Sequence, residues 1–332
     1  MSITQAKVAI ITVTFNSSGF IDNYLDALSS FLIDSSHILI VVDNASVDDT
    51  VVRIENHRQA QTLEKNIRII TLPKNVGFGG GCNRGIAAAG DVNASHLWFL
   101  NPDTEVLSDS ADKLLALFSA RPDTDFVGSV LIDQQQQERA GAFRFPSIIN
   151  VCLSTLKLGI LDRLLKQHTT AIPIATHPYP ADWLTGASFM ARSQTIDALN
   201  GFDPHYFLYF EEVDLFYRAK NKGFTVLCCP ESRVFHISGA STGINNQHND
   251  THNITTKRQP DYWFESRRHF YVSNYGRLYF SLVDFCQIFC LLCWKLRAKL
   301  QKKSDATPDQ FTRDIIRYSY PAQLLKRLFG NS

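Results

Sequence analysis

The sequence predicts an α/β protein built on a mostly parallel sheet. Three observations carry that expectation. In the first third of the chain, apolar β-branched runs alternate with segments of helical spacing. The runs are apolar at successive positions, the pattern of strands covered on both faces and not of half-exposed strands. Each of the first four runs also ends in polar residues, where sheets of this class bind their ligands.

"KVAIITVTF" predicts the first strand, and "SSGFIDNYLDALSSFL" the first helix, entered from Ser and Gly. "HILIVVDN" is a second buried strand. "SVDDTVVRIENHRQAQTL" reads as a helix with a capping Ser and early acids that suit the positive end of its dipole. "NIRIITL" is a third strand, "GFGGGCNRGIAAAG" a Gly-rich turn into a helix, and "ASHLWFLN" a fourth strand. Such alternation implies right-handed crossovers and a parallel sheet. The strand ends are then Thr14 and Asn16, Asp43 and Asn44, Lys74 and Asn75, and Asn101 and Asp103, all facing one rim.

The segment 134–180 is less regular. "NVCLSTLKLGILDRLLKQH" reads as a helix or helix pair, and "IPIATHPYPADW", with three prolines, as an extended connector. "FLYFEEVDLFYRAKNKG" runs from aromatics into three acids and then a helix that stops at Gly223.

The composition suits a folded globular chain. Of 332 residues, 45% are hydrophobic, and 33 Lys and Arg against 32 Asp and Glu leave a net charge of +1. That balance gives no support for a nucleic-acid partner. The N-terminus reads as a strand and not as a cleaved leader. Seven cysteines show no paired framework, so a reducing cytoplasm is the expected home. Only Phe280 to Leu300 points to a membrane. It is apolar but contains Asp284 and Gln287 and ends in Lys295, Arg297 and Lys299. Two readings stand: a peripheral contact through 280–300, or a helix packed on the protein's own core.

Several residues at the rim are suited to chemistry. Asp43 is placed to accept a hydrogen bond from the imide of a uracil or thymine ring; the alternative, helix capping, also falls to Ser46 and Asp48. "KNVGFGGGCNRG" has the look of a phosphate-cradling loop, in which Asn75 and Asn83 hold the loop or contact a sugar; the alternative is a tight helix start. It does not match the dinucleotide fingerprint, because the third required glycine falls on Cys82, which disfavours a dehydrogenase. Asn101-Pro102-Asp103 is a variant of Asp-x-Asp, and its carboxylate suits a hard divalent cation; the same tripeptide is also an ordinary turn. Glu211, Glu212 and Asp214 are candidates for a general base beside an aromatic stretch, where partial desolvation raises basicity. The competing reading is favourable helix-dipole placement, with Asp214 paired to Arg218 four residues on. His236, after another apolar run, would move a metal preference from Mg2+ toward Mn2+.

Seven motifs in order carry a resemblance: "ITVTFNS", "VVDNAS", "NVGFGGGCNRG", "FLNPDTEV", "WLTGASFMARS", "GFDPHYFLYFEEVDLFYRAKNKG" and "VFHISGAST". Over roughly residues 7 to 280 the chain resembles the family 2 inverting glycosyltransferases, and among them bacterial rhamnosyltransferases of cell-surface polysaccharide. The resemblance implies the GT-A fold, a Rossmann-like, mostly parallel central sheet flanked by helices, with a C-terminal helical extension. It implies a transferase domain over 1–278, with a nucleotide half to about 132 and an acceptor half from 133, and an extension over 279–332. It also implies transfer from a dTDP- or UDP-linked sugar, dTDP-rhamnose first, to a glycan or lipid-linked glycan. A galactofuranosyl- or hexosyltransferase, or a non-catalytic binding subunit, is the alternative.

In residue terms, the resemblance puts nucleotide contacts at Thr14, Asn16 and Asp43, and in the loop of Asn75, Gly77 and Gly79 near the nucleotide. It puts Mg2+ or Mn2+ on Asp103, with His236 approaching the metal or diphosphate, and the base at Glu212. Trp183 and Gly186 would shape the sugar and acceptor pocket. Asn101 replaces the first acid of Asp-x-Asp, and Glu212 stands where many relatives carry Asp. The polar stretch from Gly239 to Asp261 is expected to form a lid over the donor, and Arg267 and Arg268 to reach phosphate or solvent.

Overall fold

A computed structural model describes residues 7–33, 37–60, 63, 65–237, 257–305 and 307–329. Most of the expected lid, 239–256, lies outside the described residues. In chain order the elements begin β1 (Val8–Thr14), α1 (Ile21–Ile33), β2 (Ile38–Asp43), α2 (Thr50–Ala60), β3 (Ile67–Thr71), α3 (Gly77–Gly90) and β4 (His96–Leu100). Next come β5 (Thr104–Val106), α4 (Ser110–Ala120), β6 (Phe126–Ile132), β7 (Glu138–Arg139), β8 (Ala142–Phe143), α5 (Ile148–Leu156) and α6 (Gly159–Leu164). Then follow β9 (Tyr179–Pro180), β10 (Trp183–Leu184), β11 (Ser188–Arg192), α7 (Ser193–Leu199), α8 (Glu211–Asn221) and β12 (Val226–His236). The chain closes with α9 (Asp261–Tyr275), α10 (Arg277–Leu300), α11 (Phe311–Tyr318) and α12 (Tyr320–Phe329).

Two compact units result: Met1–Phe143 with Ala171–Phe207 and Glu211–Gly243, and Arg144–Thr170 with Leu208–Phe210 and Ile244–Ser332. The first is an α/β unit. Its main sheet runs β3-β2-β1-β4-β11-β6-β12-β5. β1 is parallel to β2 and β4, β2 to β3, and β6 to β12; β11 lies antiparallel between β4 and β6, and β5 antiparallel on β12. All seven residues of β1 are buried, as its continuous apolar run requires. The sheet is therefore mixed but mostly parallel, flanked by helices.

Two local outcomes differ from the sequence reading. α2 starts at Thr50 and not at Ser46, and Asp48 braces the turn into it, its Oδ1 accepting from the Thr50 backbone N–H at 3.1 Å. The glycines of 79–85 lie inside α3 and not in a loop. A Cβ at Gly81 would sit 2.6 Å from Val13, and one at Gly85 2.4 Å from Ile11, so they let α3 approach β1 closely.

The second unit is helical. α10 buries one face, including Phe280, Asp284, Gln287, Leu291 and Trp294. Arg267 of α9 reaches that face, donating through Nη1 to Asp284 Oδ1 at 2.6 Å and through Nη2 to Gln287 Oε1 at 2.8 Å. Arg267 is thus a buried structural cation, reaching neither phosphate nor solvent. An unpaired guanidinium at that depth would be costly, so the carboxylate and amide follow from its burial.

Candidate active site

The site is built on the carboxyl ends of β1, β2, β4 and β12, all within the α/β unit. At the end of β2, Asp43 is 3% exposed. Its Oδ1 accepts from Thr14 Oγ1 at 3.0 Å and Ser46 Oγ at 2.5 Å, and its Oδ2 from the Ser46 N–H at 3.0 Å. These bonds orient the carboxylate and leave Oδ2 with accepting capacity. Asn16, at φ 52°, braces the same turn: its N–H donates to Ser46 Oγ and its Oδ1 accepts from Val47 N–H, both at 2.9 Å.

The next residue, Asn44, joins β2 to the glycine-rich stretch. Its Nδ2 donates to Asn75 Oδ1 at 2.9 Å and to the Gly77 carbonyl at 3.0 Å, and its Oδ1 accepts from Val76 N–H at 2.9 Å. Asn75 Oδ1 also accepts from Gly77 N–H at 2.9 Å. Both side chains hold the loop. Gly77 has φ +81°, and a Cβ there would lie 2.0 Å from the Phe207 carbonyl oxygen. The close approach lets Phe78 N–H donate to that oxygen at 3.0 Å, which docks the start of α3 on the chain just before Glu211. Asn83 clamps the same region, giving to Phe202 O at 2.8 Å and accepting from Phe202 N–H at 2.9 Å. Its side chain is engaged with backbone.

α8 opens with the three acids, and helical phase sends them different ways. Residues three apart share a face. Glu211 and Asp214 are accordingly both buried. Asp214 is taken by Arg218 Nε at 2.7 Å, the pair that the four-residue spacing predicts, and by Tyr206 OH at 3.3 Å. Glu211 packs where a Cβ on Gly79 would touch it at 3.5 Å. Glu212 turns toward Gly186, whose backbone amide favours the ionised carboxylate. The Oε2 atoms of both glutamates are buried without a hydrogen-bond partner. Burial raises the pKa of Glu212 to about 7. Burial, and then the neighbouring Glu212, hold Glu211 well above the carboxylate range. Two adjacent buried carboxylates cannot both ionise cheaply, so the pair retains a proton, and Glu211, the more enclosed, keeps it. The Cys82 thiol is pushed well up by burial and by both glutamates, which leaves it neutral.

Gly186 follows β10, where Trp183 stacks on Phe143 of β8 at 4.4 Å and 20°. A Cβ on Gly186 would stand 3.4 Å from the Phe78 ring and 3.9 Å from Glu212 Oε1, so the site is tight at this residue. The adjacent Ala187 carbonyl accepts from Asn101 N–H at 3.1 Å, continuing the β4–β11 pairing. That link connects Glu212 to the Asn101-Pro102-Asp103 turn.

Asp103 is 5% exposed, and its Oδ1 is buried without a hydrogen-bond partner, as is Asn101 Oδ1. β5 pairs antiparallel with β12, with Thr104 opposite His236, and Ile237 N–H donates to Asp103 O at 3.0 Å. His236 Nε2 thereby comes within 3.4 Å of Asp103 Oδ1, near enough for an ion pair but not aligned as a hydrogen bond. One hard oxygen and one imidazole nitrogen converge, with the oxygen's capacity unfilled. This donor set fits a divalent cation.

Within the α/β unit the links run from Asp43 and Asn44 through Gly77 and Phe78 to Gly186, which Glu212 faces, and on through Ala187 and Asn101 to Asp103 and His236. The glycosyl transferase family 2 model matches residues 9–173, about half of the chain, a segment that takes in Asp43, Asn75, Gly77, Asn101 and Asp103 and ends before Gly186, Glu212 and His236. The chain belongs to glycosyl transferase family 2.

This glycosyltransferase is 26% identical over 271 residues to the N-acetylglucosaminyl-diphospho-decaprenol L-rhamnosyltransferase of Mycobacterium tuberculosis, covering 76% of this chain and 85% of that protein. Among solved structures, S. aureus TarS 1–349 superposes with a TM-score of 0.53 at 13% identity, covering 95% of this chain and 81% of that one. The mannosyltransferase PcManGT of Pyrobaculum calidifontis, solved with GDP-Man and Mn2+, gives 0.52 at 12% identity, with 99% and 89% covered. These likenesses show the GT-A fold.

Sequence reasoning set Asn44 at the rim without a role and did not single out Phe78, Phe207 or Ala187 in this glycosyltransferase. Asn44 lay in view beside Asp43, but an Asn at a strand end is ordinary. The other three act through backbone atoms or a ring edge, which leave no compositional signal.

Proposed function

We propose that this glycosyltransferase transfers a hexose with inversion, L-rhamnose from dTDP-rhamnose first, to a hydroxyl of a lipid-linked glycan at the cytoplasmic face of a membrane. One observation carries the reading of the chemistry: Asp103 with His236, and Glu212 apart from them, sit at one rim, joined through the Asn101–Ala187 bond and Gly186. Separate cation-holding and proton-accepting groups are what displacement of a nucleoside diphosphate by a hydroxyl requires. The name of the mycobacterial relative supports the choice of sugar and acceptor.

Asp43, steadied by Thr14 and Ser46, receives the imide N–H of the base, and Asn16 borders the ribose. Asn75, Gly77 and Gly79 keep the backbone beside the nucleotide. Asp103 and His236 hold the divalent cation, Mg2+ or Mn2+. When bound, that ion offsets negative charge on the departing diphosphate. Glu212, basic at about pH 7 because it is buried, takes the acceptor hydroxyl's proton as the oxygen attacks from the face opposite the diphosphate. Trp183 and Gly186 border the sugar, where a larger residue at 186 would crowd both Phe78 and Glu212.

The test is turnover with a panel of nucleotide sugars, the anomeric configuration of the product being read by NMR. Transfer of rhamnose from dTDP-β-L-rhamnose with an α-linked product is expected. Failure to use that donor while another is consumed would reject the sugar, and a retained configuration would reject the mechanism.

A further inference from the structure

α10 has two faces, and only one of them is packed. The helix is 24 residues long, about 36 Å at the usual rise. Its inner face is buried within the helical unit, while Leu278, Leu282, Phe285, Phe289, Leu292 and Leu296 are between 49% and 89% exposed. Their spacing of four, three, four, three and four residues keeps them in one continuous stripe. Of the seventeen exposed large hydrophobic residues described, eleven belong to the helical unit, so the stripe is a concentration and not a scatter. An apolar surface of that extent is a docking face.

We propose that the outer face of α10 lies in the surface of a lipid bilayer with anionic headgroups. Charge selects this occupant. Arg277 is exposed at one end of the stripe; Lys295 and Lys299 are exposed at the other, followed by Lys302 and Lys303. The helix has one acid, Asp284, and it is buried against Arg267. Asp305, just beyond, accepts from Trp294 Nε1 and from Thr307. A second copy laid on the stripe, parallel or antiparallel, would oppose cations with no acid along the helix to answer them. Anionic headgroups answer them directly, and the acyl boundary receives the leucines and phenylalanines.

α10 is also long and apolar enough to cross a bilayer by length and composition. Its inner face argues for lying on the surface instead. A crossing would strip Asp284 and Gln287 from Arg267 and put them in hydrocarbon. Lysines at the rim of an apolar stripe suit an in-plane helix, since their stems cover apolar surface while the ammonium stays wet. The inference deepens the proposed function, because a lipid-linked acceptor is met at such a surface, and it needs no transfer assay.

The experiment is flotation of the full chain with phosphatidylcholine vesicles, with and without phosphatidylglycerol. Two double variants accompany it: Phe285→Ser with Phe289→Ser, and Lys295→Glu with Lys299→Glu. All four side chains are exposed, and thermal melting matched to the parent shows that each variant is folded. The parent is expected to float with the anionic vesicles. Each double variant should lower the bound fraction by roughly tenfold, the lysine pair most at low salt. A parent that stays with the unbound fraction, or a phenylalanine pair that floats as well as the parent, overturns the proposal. So does a dimer, seen by light scattering without vesicle binding, that the phenylalanine pair dissociates; that result would assign the stripe to a second copy.

Discussion

His236 Nε2 stands 3.4 Å from Asp103 Oδ1, though the two residues lie far apart in the chain. The antiparallel seating of β5 on β12 sets Thr104 opposite His236 and so fixes that neighbourhood. Neither residue is a surface group drawn in by chance: Asp103 is buried, and its Oδ1 has no hydrogen bond. Leaving such an oxygen unsatisfied costs about 1–3 kcal/mol, a cost that a bound cation removes.

Replacing Asp103 or His236 by Ala should therefore weaken metal-assisted donor binding by at least about tenfold, the lower bound of what loss of a supporting residue costs a metal site. Calorimetric titration of nucleotide with and without Mn2+ checks this. Binding indifferent to the metal and to both substitutions would remove the cation from the mechanism.

Glu212→Gln keeps the size of the side chain but not its basicity. Transfer should fall by about 10²–10⁴-fold while nucleotide affinity is retained. Glu211→Gln, which mimics the protonated acid, should have a much smaller effect. If Glu211→Gln is the more damaging change, the base is Glu211 and the assignment moves by one residue.

The pH dependence follows from the same pair. Glu212 titrates near 7, so the transfer rate should rise with pH through about 7 and then level off. Stability should run the other way. The folded carboxyls hold protons above the usual 4.5, so the folded chain binds more protons than the unfolded one in this window. Stability is thus greatest below about 4.5 with respect to these groups, and is lost as pH rises through 7. Urea midpoints at about pH 5 and about pH 8 should differ in that direction, and Glu212→Gln should shrink the difference.

Gly77→Ala meets two obstacles at once. Its φ of +81° costs a β-carbon residue about 1–3 kcal/mol, and the new Cβ would fall 2.0 Å from the Phe207 carbonyl. A loss of at least that size in chemical denaturation is expected, with reduced transfer, because Phe207 leads into Glu211. Gly90→Ala, with open space around it, is the control.

Much of this arrangement was legible in the residues themselves. β1, β2 and β4 announce themselves because strands covered on both faces need apolar side chains at every position. The Asp214–Arg218 pair follows from helical spacing alone. β11 was not legible as a strand: its five residues carry no alternation, since it too is buried, and its antiparallel insertion between β4 and β6 depends on neighbours remote in sequence. Gly81 and Gly85 looked like part of a ligand cradle because composition cannot distinguish a backbone that approaches a ligand from one that approaches a strand. Their contacts with Val13 and Ile11 make that distinction.

By itself, then, the chain determined its α/β class, its strand ends and the short menu of acids, because hydrophobic period and residue chemistry are local properties. Tertiary structure alone decided what the remaining acids meet. Helix packing turned Glu212 toward Gly186, and strand register carried His236 to Asp103. Both are outcomes of how elements distant in sequence share one buried interior, and no local pattern encodes them.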